Sequence, residues 1–108
     1  MMGKTRAPTF IDLFAGAGGF SLGFVRAGFK CVGVIENDLQ ASETYKTNFP
    51  GHAELPLGRL GPTEGDILSL TQKDVTVGLR ESGVNEVDVL VGGPPCQGFS
   101  KIGRGKLD

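Results

Sequence analysis

The chain has 108 residues, room for one small core, with 39% apolar residues and a formal net charge of −1. The charge balance lends no support to a basic nucleic-acid-binding face, and no stretch approaches the ~18 apolar residues of a membrane span. Two cysteines, Cys31 and Cys96, without a CxxC or a histidine cluster, argue against zinc and thioredoxin-like chemistry. The charged N-terminus has no apolar stretch behind it, so the default expectation is a reducing cytoplasm with both thiols free.

In chain order, Thr9–Phe14 reads as a first strand, apolar except for Asp12, and leads into a glycine turn at Ala15–Gly19. Phe20–Ala27 has helical spacing, with Phe20, Phe24 and Ala27 on one side and Gly28 as the stop. Lys30–Ile35 reads as a second, buried strand closed by Glu36. Asn37 or Asp38 can cap a helix over Leu39–Asn48, which Pro50-Gly51 ends. Residues 50–65 are rich in proline and glycine and read as a long surface loop, with at most a short third strand just before Gly65-Asp66-Ile67. Thr71 can cap a third helix, with Asp74 at the capping-box position, ending near Gly83. Val87–Val91 is a fourth strand, read as buried and stopped by Pro94-Pro95.

This alternation predicts an α/β fold with a doubly wound parallel sheet and right-handed crossovers, in strand order 3-2-1-4. The first and fourth strands are then neighbours. Their C-terminal loops flank the switch point where such sheets bind ligands, one loop carrying the glycine turn and the other Cys96.

In the turn Phe14-Ala15-Gly16-Ala17-Gly18-Gly19, glycines let the backbone approach a ligand and turn sharply into a helix. Glu36 lies 20 residues after Gly16, where a carboxylate can accept both hydroxyls of a ribose. Nicotinamide-nucleotide and S-adenosylmethionine binders share this combination, but the dinucleotide fingerprint wants a third glycine where this chain has Ser21. The bland alternative is a structural strand–helix turn. Asp66 can accept from an adenine amine while Ile67 packs on the ring, or Asp66 simply caps a helix. Cys96, on the stiff bend Gly93-Pro94-Pro95-Cys96-Gln97-Gly98, suits a nucleophile better than a packed thiol, whereas Cys31, inside a strand, reads as core. Lys101, Arg104 and Lys106 among glycines can meet phosphates or form a solvated tail.

Four segments in order resemble the first motifs of the DNA (cytosine-5) methyltransferases: Asp12-Leu13-Phe14-Ala15-Gly16-Ala17-Gly18-Gly19-Phe20; Glu36-Asn37-Asp38 with Ala41, Tyr45 and Asn48; Gly65-Asp66-Ile67; and Gly93-Pro94-Pro95-Cys96-Gln97-Gly98-Phe99-Ser100. The resemblance covers most of the chain, and its last segment is highly specific. It implies a Rossmann-like S-adenosylmethionine-dependent methyltransferase fold, here truncated. It also implies a reaction in which a thiolate attacks C6 of a cytosine flipped out of double-stranded DNA and C5 takes the methyl group of S-adenosylmethionine. Carried over residue by residue, Cys96 is the nucleophile. Phe14, Ala15, Gly16, Ala17, Gly18 and Gly19 cradle the cofactor, Glu36 binds its ribose, Asn37 lies against the adenine, and Asp66 and Ile67 meet the adenine edge and face. Pro95 shapes the bend and faces the cofactor. Gln97 and Ser100 approach DNA, with Lys101 and Arg104 as further candidates for DNA contact. No metal is implied.

The family pattern runs on through a Glu-Asn-Val segment, an Arg-x-Arg segment, a target-recognition region and a final helix that completes the cofactor pocket. None of these occurs in the 108 residues. Residues 1–108 are therefore expected to be the N-terminal part of a catalytic domain, inert alone, and either part of a longer protein or one piece of a split enzyme completed by a second polypeptide. The missing strands are expected to leave the fourth strand as an apolar edge. Family members most often serve as the modification half of bacterial restriction systems. A non-catalytic assembly subunit and a small nicotinamide-binding oxidoreductase are the alternatives.

Overall fold

The computed structural model describes residues 6–93. Its elements are β1 (Thr9–Leu13), α1 (Gly19–Arg26), β2 (Lys30–Glu36), α2 (Leu39–Asn48), α3 (Pro50–Ala53), β3 (Gly58–Leu60), a 3₁₀ turn at Ile67–Ser69, α4 (Gln72–Glu81) and β4 (Val89–Gly92). The four strands form one parallel sheet in the order β3-β2-β1-β4, as the alternation predicts. The register sets Leu13 opposite both Ile35 and Gly92, so β1 ends level with its two neighbours.

Side-chain alternation along β1 divides the sheet's two faces. Ile11 joins Val32, Ile35 and Leu57 in a cluster covered by Val75 and Leu79 of α4. Phe10 points the other way and stacks on Phe24 of α1, ring centroids 5.2 Å apart. Burying such a side chain completely contributes about 1.5–3 kcal/mol, and Phe10 is fully buried. On that same face Val34 and Leu60 pack with Tyr45 of α2. Thus α1, α2 and α3 cover one face and α4 the other, the doubly wound arrangement.

The helix ends follow from local sequence. After α1, Gly28 at φ 94° lets its N–H reach the carbonyl of Val25 (3.0 Å) and the Phe29 N–H reach that of Phe24 (2.9 Å). The Phe24 and Phe29 rings meet edge to face at 5.0 Å, completing a Schellman stop. Gly83 ends the α4 segment in the same way, with Val84 N–H on the Leu79 carbonyl at 3.0 Å. Both halves of the Thr71–Asp74 capping box form, at 3.0 Å each. Asp38, not Asn37, caps α2, accepting from the Ala41 N–H at 2.8 Å.

Three expectations need correction. The segment 50–65 is not one long loop: Pro50, placed where a helix's first N–H needs no partner, starts the short helix α3, and β3 follows. That strand ends at Leu60, several residues before Gly65, because the Gly61–Gly65 turn intervenes, closed by Gly65 N–H on the Gly61 carbonyl (2.8 Å). The fourth strand is not buried: it pairs only with β1 among the described residues, and Leu90 is 66% exposed. That is the apolar edge anticipated from the resemblance. At its foot, Asp88 accepts from the backbone N–H (2.8 Å) and hydroxyl (3.2 Å) of Thr9, clamping β4 to β1.

Candidate active site

The site is built where β1 ends. Phe14 leaves the strand with φ 56°, the single non-glycine residue among those described in the left-handed region, a conformation that costs on the order of 1 kcal/mol or more. The kink aims the next amides at β2. Ala15 N–H donates to the Ile35 carbonyl (3.1 Å), and Gly16 N–H donates to Glu36 Oε1 (2.7 Å). The other carboxylate oxygen of Glu36 accepts from Asp38 N–H (2.8 Å). Two backbone donors thus hold the side chain that the spacing singled out.

The main chain of Glu36 is fixed as tightly. Its carbonyl accepts from Gly61 N–H (2.8 Å) and from Ser42 Oγ (3.0 Å). Gly65 lies directly against that carbonyl, which a Cβ at position 65 would overlap. This contact brings the Gly65-Asp66-Ile67 segment to the end of β2. There Asp66 Oδ1 accepts from Leu68 N–H (3.0 Å), so it does cap the 3₁₀ turn, the bland alternative. Ile67 is half-buried against the α4-side cluster, and the neighbouring Leu68 is 91% exposed. Asn37 is exposed beside Glu36.

The glycine turn rests on α2. Gly18, at φ 109°, sits so close to the Phe49 and Tyr45 rings that a Cβ would come within 2.6 Å of Phe49 Cε2. Asn48 Nδ2 donates to the Ala17 carbonyl at 3.3 Å. On the other side the turn opens into a crevice of ≈ 480 Å³ lined by Phe14, Ala15, Gly16, Gly19, Phe20 and Gly93. A Cβ on Gly93 would stand 3.3 Å from the Phe20 ring, so the end of β4 abuts the first turn of α1. This is the switch-point crevice. A second hollow of ≈ 450 Å³, lined by Ala17, Gly18, Gly19, Leu22, Asn48 and Phe49, lies on the α2 side of the turn and away from β4.

Beneath the turn runs a buried polar chain. Ser21 Oγ donates to Asp12 Oδ2 (2.7 Å), Tyr45 Oη lies 2.7 Å from Ser21 Oγ, and His52 Nδ1 lies 2.8 Å from Tyr45 Oη. Asp12, Ser21 and Tyr45 are fully buried. Burial pushes the Asp12 carboxyl above the usual carboxylate range, against the Ser21 hydrogen bond and with the nearby Glu36 charge. Burial also raises the Tyr45 phenol and lowers His52. Cys31 is buried with its thiol pushed up to about 11, as fits a packed cysteine.

The fold therefore brings Phe14–Gly19, Glu36, Asn37, Asp66 and Gly93 to one end of the sheet. Pro95, Cys96, Gln97, Ser100, Lys101 and Arg104 lie outside the described residues. Sequence reading missed Ser42, Phe49, His52 and the role of Ser21. Ser21 entered only as a missing glycine. The signal for it was the lone carboxylate inside the first strand, which needs a donor once buried.

The sequence pattern of C-5 cytosine-specific DNA methylases matches residues 8–108. The chain belongs to that family. Among curated relatives, this methylase chain is 45% identical over 96 residues to the type II methyltransferase M1.HphI of Haemophilus parahaemolyticus, covering 89% of the chain and 23% of the relative. It is 46% identical over 94 residues to M.DdeI of Desulfomicrobium norvegicum (87% and 20%) and 40% identical over 96 residues to M.HgiGI of Herpetosiphon aurantiacus (87% and 64%). It thus spans about a fifth to a quarter of the length of the first two. A crystal structure described as a DNA modification methyltransferase encoded within an E. coli prophage superposes with a TM-score of 0.64 at 34% identity, over 86% of this chain and 24% of that one. Among the described residues, no group of three or more His, Cys, Asp or Glu is placed to hold a metal ion, and no helix is long and apolar enough to cross a membrane.

Proposed function

We propose that this chain is the donor-binding, nucleophile-bearing part of a DNA cytosine-5 methyltransferase, the modification half of a bacterial restriction system, acting in the cytoplasm on a cytosine flipped out of double-stranded DNA. The observation that carries the reading is the Glu36 carboxylate drawn onto Gly16 N–H at the mouth of the switch-point crevice. S-adenosylmethionine suits the residues present. Each Glu36 oxygen accepts one N–H and keeps a lone pair for a ribose hydroxyl. Gly16, at φ 60°, has open space where a Cβ would stand, so a ligand can approach its backbone.

When bound, S-adenosylmethionine supplies a methyl group on a positively charged sulfur to cytosine C5. Glu36 fixes the ribose, with Asn37, Asp66 and Ile67 around the adenine. Phe14–Gly19 form the wall beside the methionine part, and the resemblance assigns Pro95 to the bend that faces the cofactor. The Cys96 thiolate forms a bond to cytosine C6, which moves electron density onto C5. After methylation, loss of the C5 proton to a base returns the electron pair and releases the thiolate. The resemblance makes Gln97 and Ser100 the candidates for DNA contact, with Lys101 and Arg104 as further ones.

The 108 residues contain no Glu-Asn-Val or Arg-x-Arg segment, so activity depends on further polypeptide, in the same chain or a complementing one. The test is a covalent trap. The chain, its complementing polypeptide, the methyl donor and an oligonucleotide carrying 5-fluorocytosine should give a denaturation-resistant adduct that Cys96→Ser abolishes. An adduct that persists in Cys96→Ser refutes the assignment of the nucleophile. Calorimetry on the chain alone should show weak S-adenosylmethionine binding, whereas tight one-to-one binding of a nicotinamide cofactor overturns the whole reading.

A further inference from the structure

We propose that Ser21, Tyr45 and His52 are positioning residues: with Asp12 they form a one-way hydrogen-bond strut that fixes the glycine turn on α2 and so sets where the methyl donor sits. The inference rests on the donor-binding reading above, which assigns none of these three residues a task.

The direction of the strut follows from counting hydrogens. Ser21 has one hydroxyl hydrogen and gives it to Asp12 Oδ2. It can then only accept from Tyr45 Oη, 2.7 Å away. Tyr45 has thereby spent its own hydrogen, so its oxygen accepts from His52 Nδ1 at 2.8 Å. His52 therefore carries its hydrogen on Nδ1, and every donor points from α3 inward to β1. One chain of three bonds ties together β1, α1, α2 and α3.

Burial at this site calls for a reason. An Ala–Phe pair in place of Ser21 and Tyr45 would nearly fill the same volume without desolvating two hydroxyls. What the hydroxyls add is a unique geometry, since each of them is hydrogen-bonded at both ends of a fixed chain. That geometry is passed to the turn by contact. The Tyr45 ring lies beneath Gly18, where a Cβ would be 3.2 Å from Tyr45 Cδ2, and Asn48, on the next turn of α2, donates to the Ala17 carbonyl. Ser21 itself sits in the first turn of α1, two residues after Gly19. A shift of either end of the strut moves the glycine turn relative to Glu36. Among the described residues Asp12 Oδ1 has no partner, and Ser21 supplies the side-chain donor to the buried acid.

The test uses the full chain with two readouts: amide hydrogen exchange followed residue by residue by NMR, and S-adenosylmethionine titration. Tyr45→Phe and Ser21→Ala should each speed exchange at Gly16 and Gly18 by about fivefold, the equivalent of one hydrogen bond, while Val34, bonded to the Leu57 carbonyl at the β3 side, stays protected. Donor affinity should fall in the same two variants. Asp12→Asn keeps an acceptor oxygen for Ser21 and should preserve both readouts. Unchanged exchange at the turn overturns the strut, whatever the donor does. A uniform loss of protection across turn and sheet also overturns it, since that is global destabilisation. The expected exchange pattern in the variants, with a wild-type chain that binds a nicotinamide cofactor tightly, would remove the donor reading and leave the strut in place.

Discussion

Gly65→Ala and Gly23→Ala make the same chemical change and should have opposite effects. At position 65 a methyl group would overlap the Glu36 carbonyl and approach the Gly61 carbonyl oxygen to 2.7 Å. These neighbours are backbone, and the Glu36 carbonyl is already held by Gly61 N–H and Ser42 Oγ. To make room, the Gly61–Gly65 turn must back away, with overpacking strain of ~1–3 kcal/mol and loss of two hydrogen bonds at about 1 kcal/mol each. The expected cost, ~3–5 kcal/mol, is a large share of the ~5–15 kcal/mol that holds a small domain together. At position 23, mid-α1, nothing lies within 4 Å of the added methyl group. There alanine should stabilise by about 0.5–1 kcal/mol, through lower backbone entropy in the unfolded chain. Urea unfolding followed by circular dichroism reads both. With a slope of roughly 1 kcal/mol per molar, Gly65→Ala should lower the midpoint by ~3–5 M and Gly23→Ala should raise it by ~0.5–1 M. A Gly65→Ala midpoint within about 0.5 M of wild type would refute the claim that this glycine is required by a close backbone approach to Glu36.

Glu36→Gln must turn its amide N–H₂ toward one of the two backbone donors at Gly16 and Asp38. It should therefore weaken S-adenosylmethionine binding by about tenfold or more, and calorimetry showing unchanged affinity would count against Glu36 as the ribose ligand. Asp88 is held below the usual carboxylate range chiefly by Thr9 N–H. A lowered carboxylate adds stability above its unfolded value of 3.8 that disappears as the pH falls through the folded value, so Asp88→Asn should flatten the acid limb of a stability–pH curve. His52 is shifted the other way, below 6.5 by burial. The unfolded chain then binds its proton first, so stability should rise with pH in the window just under 6.5, and His52→Gln should remove that rise in urea titrations. Cys31, with its thiol near 11, is ionised in only about one molecule in a thousand at pH 8. Alkylation of the native chain, mapped by mass spectrometry, should therefore mark Cys96 well before Cys31, and the reverse order would show that the strand thiol is accessible.

Much of the fold can be read in the chain because the features concerned are local. Gly28, Gly83 and the Thr71–Asp74 pair end or begin helices through bonds that span five residues or fewer, so composition at a few positions suffices. Strand order follows from the alternation of elements and the handedness of crossovers. The spacing of Glu36 from the glycine turn was legible for the same reason, since one strand–helix–strand unit has a nearly constant length. Other features depend on how separate elements settle against each other. How the Gly65-Asp66-Ile67 segment reaches the end of β2, where β3 lies within a glycine- and proline-rich stretch, and why position 21 is serine could not be read in any short window. Those answers required Gly65 to be seated on Glu36, α3 to be inserted before β3, and Asp12, Ser21, Tyr45 and His52 to be gathered from four elements. Hydrogen-bond partners within a turn are dictated by chain geometry. Partners separated by 9, 24 or 79 residues are dictated by register and packing, and only the assembled sheet with its helices specifies those.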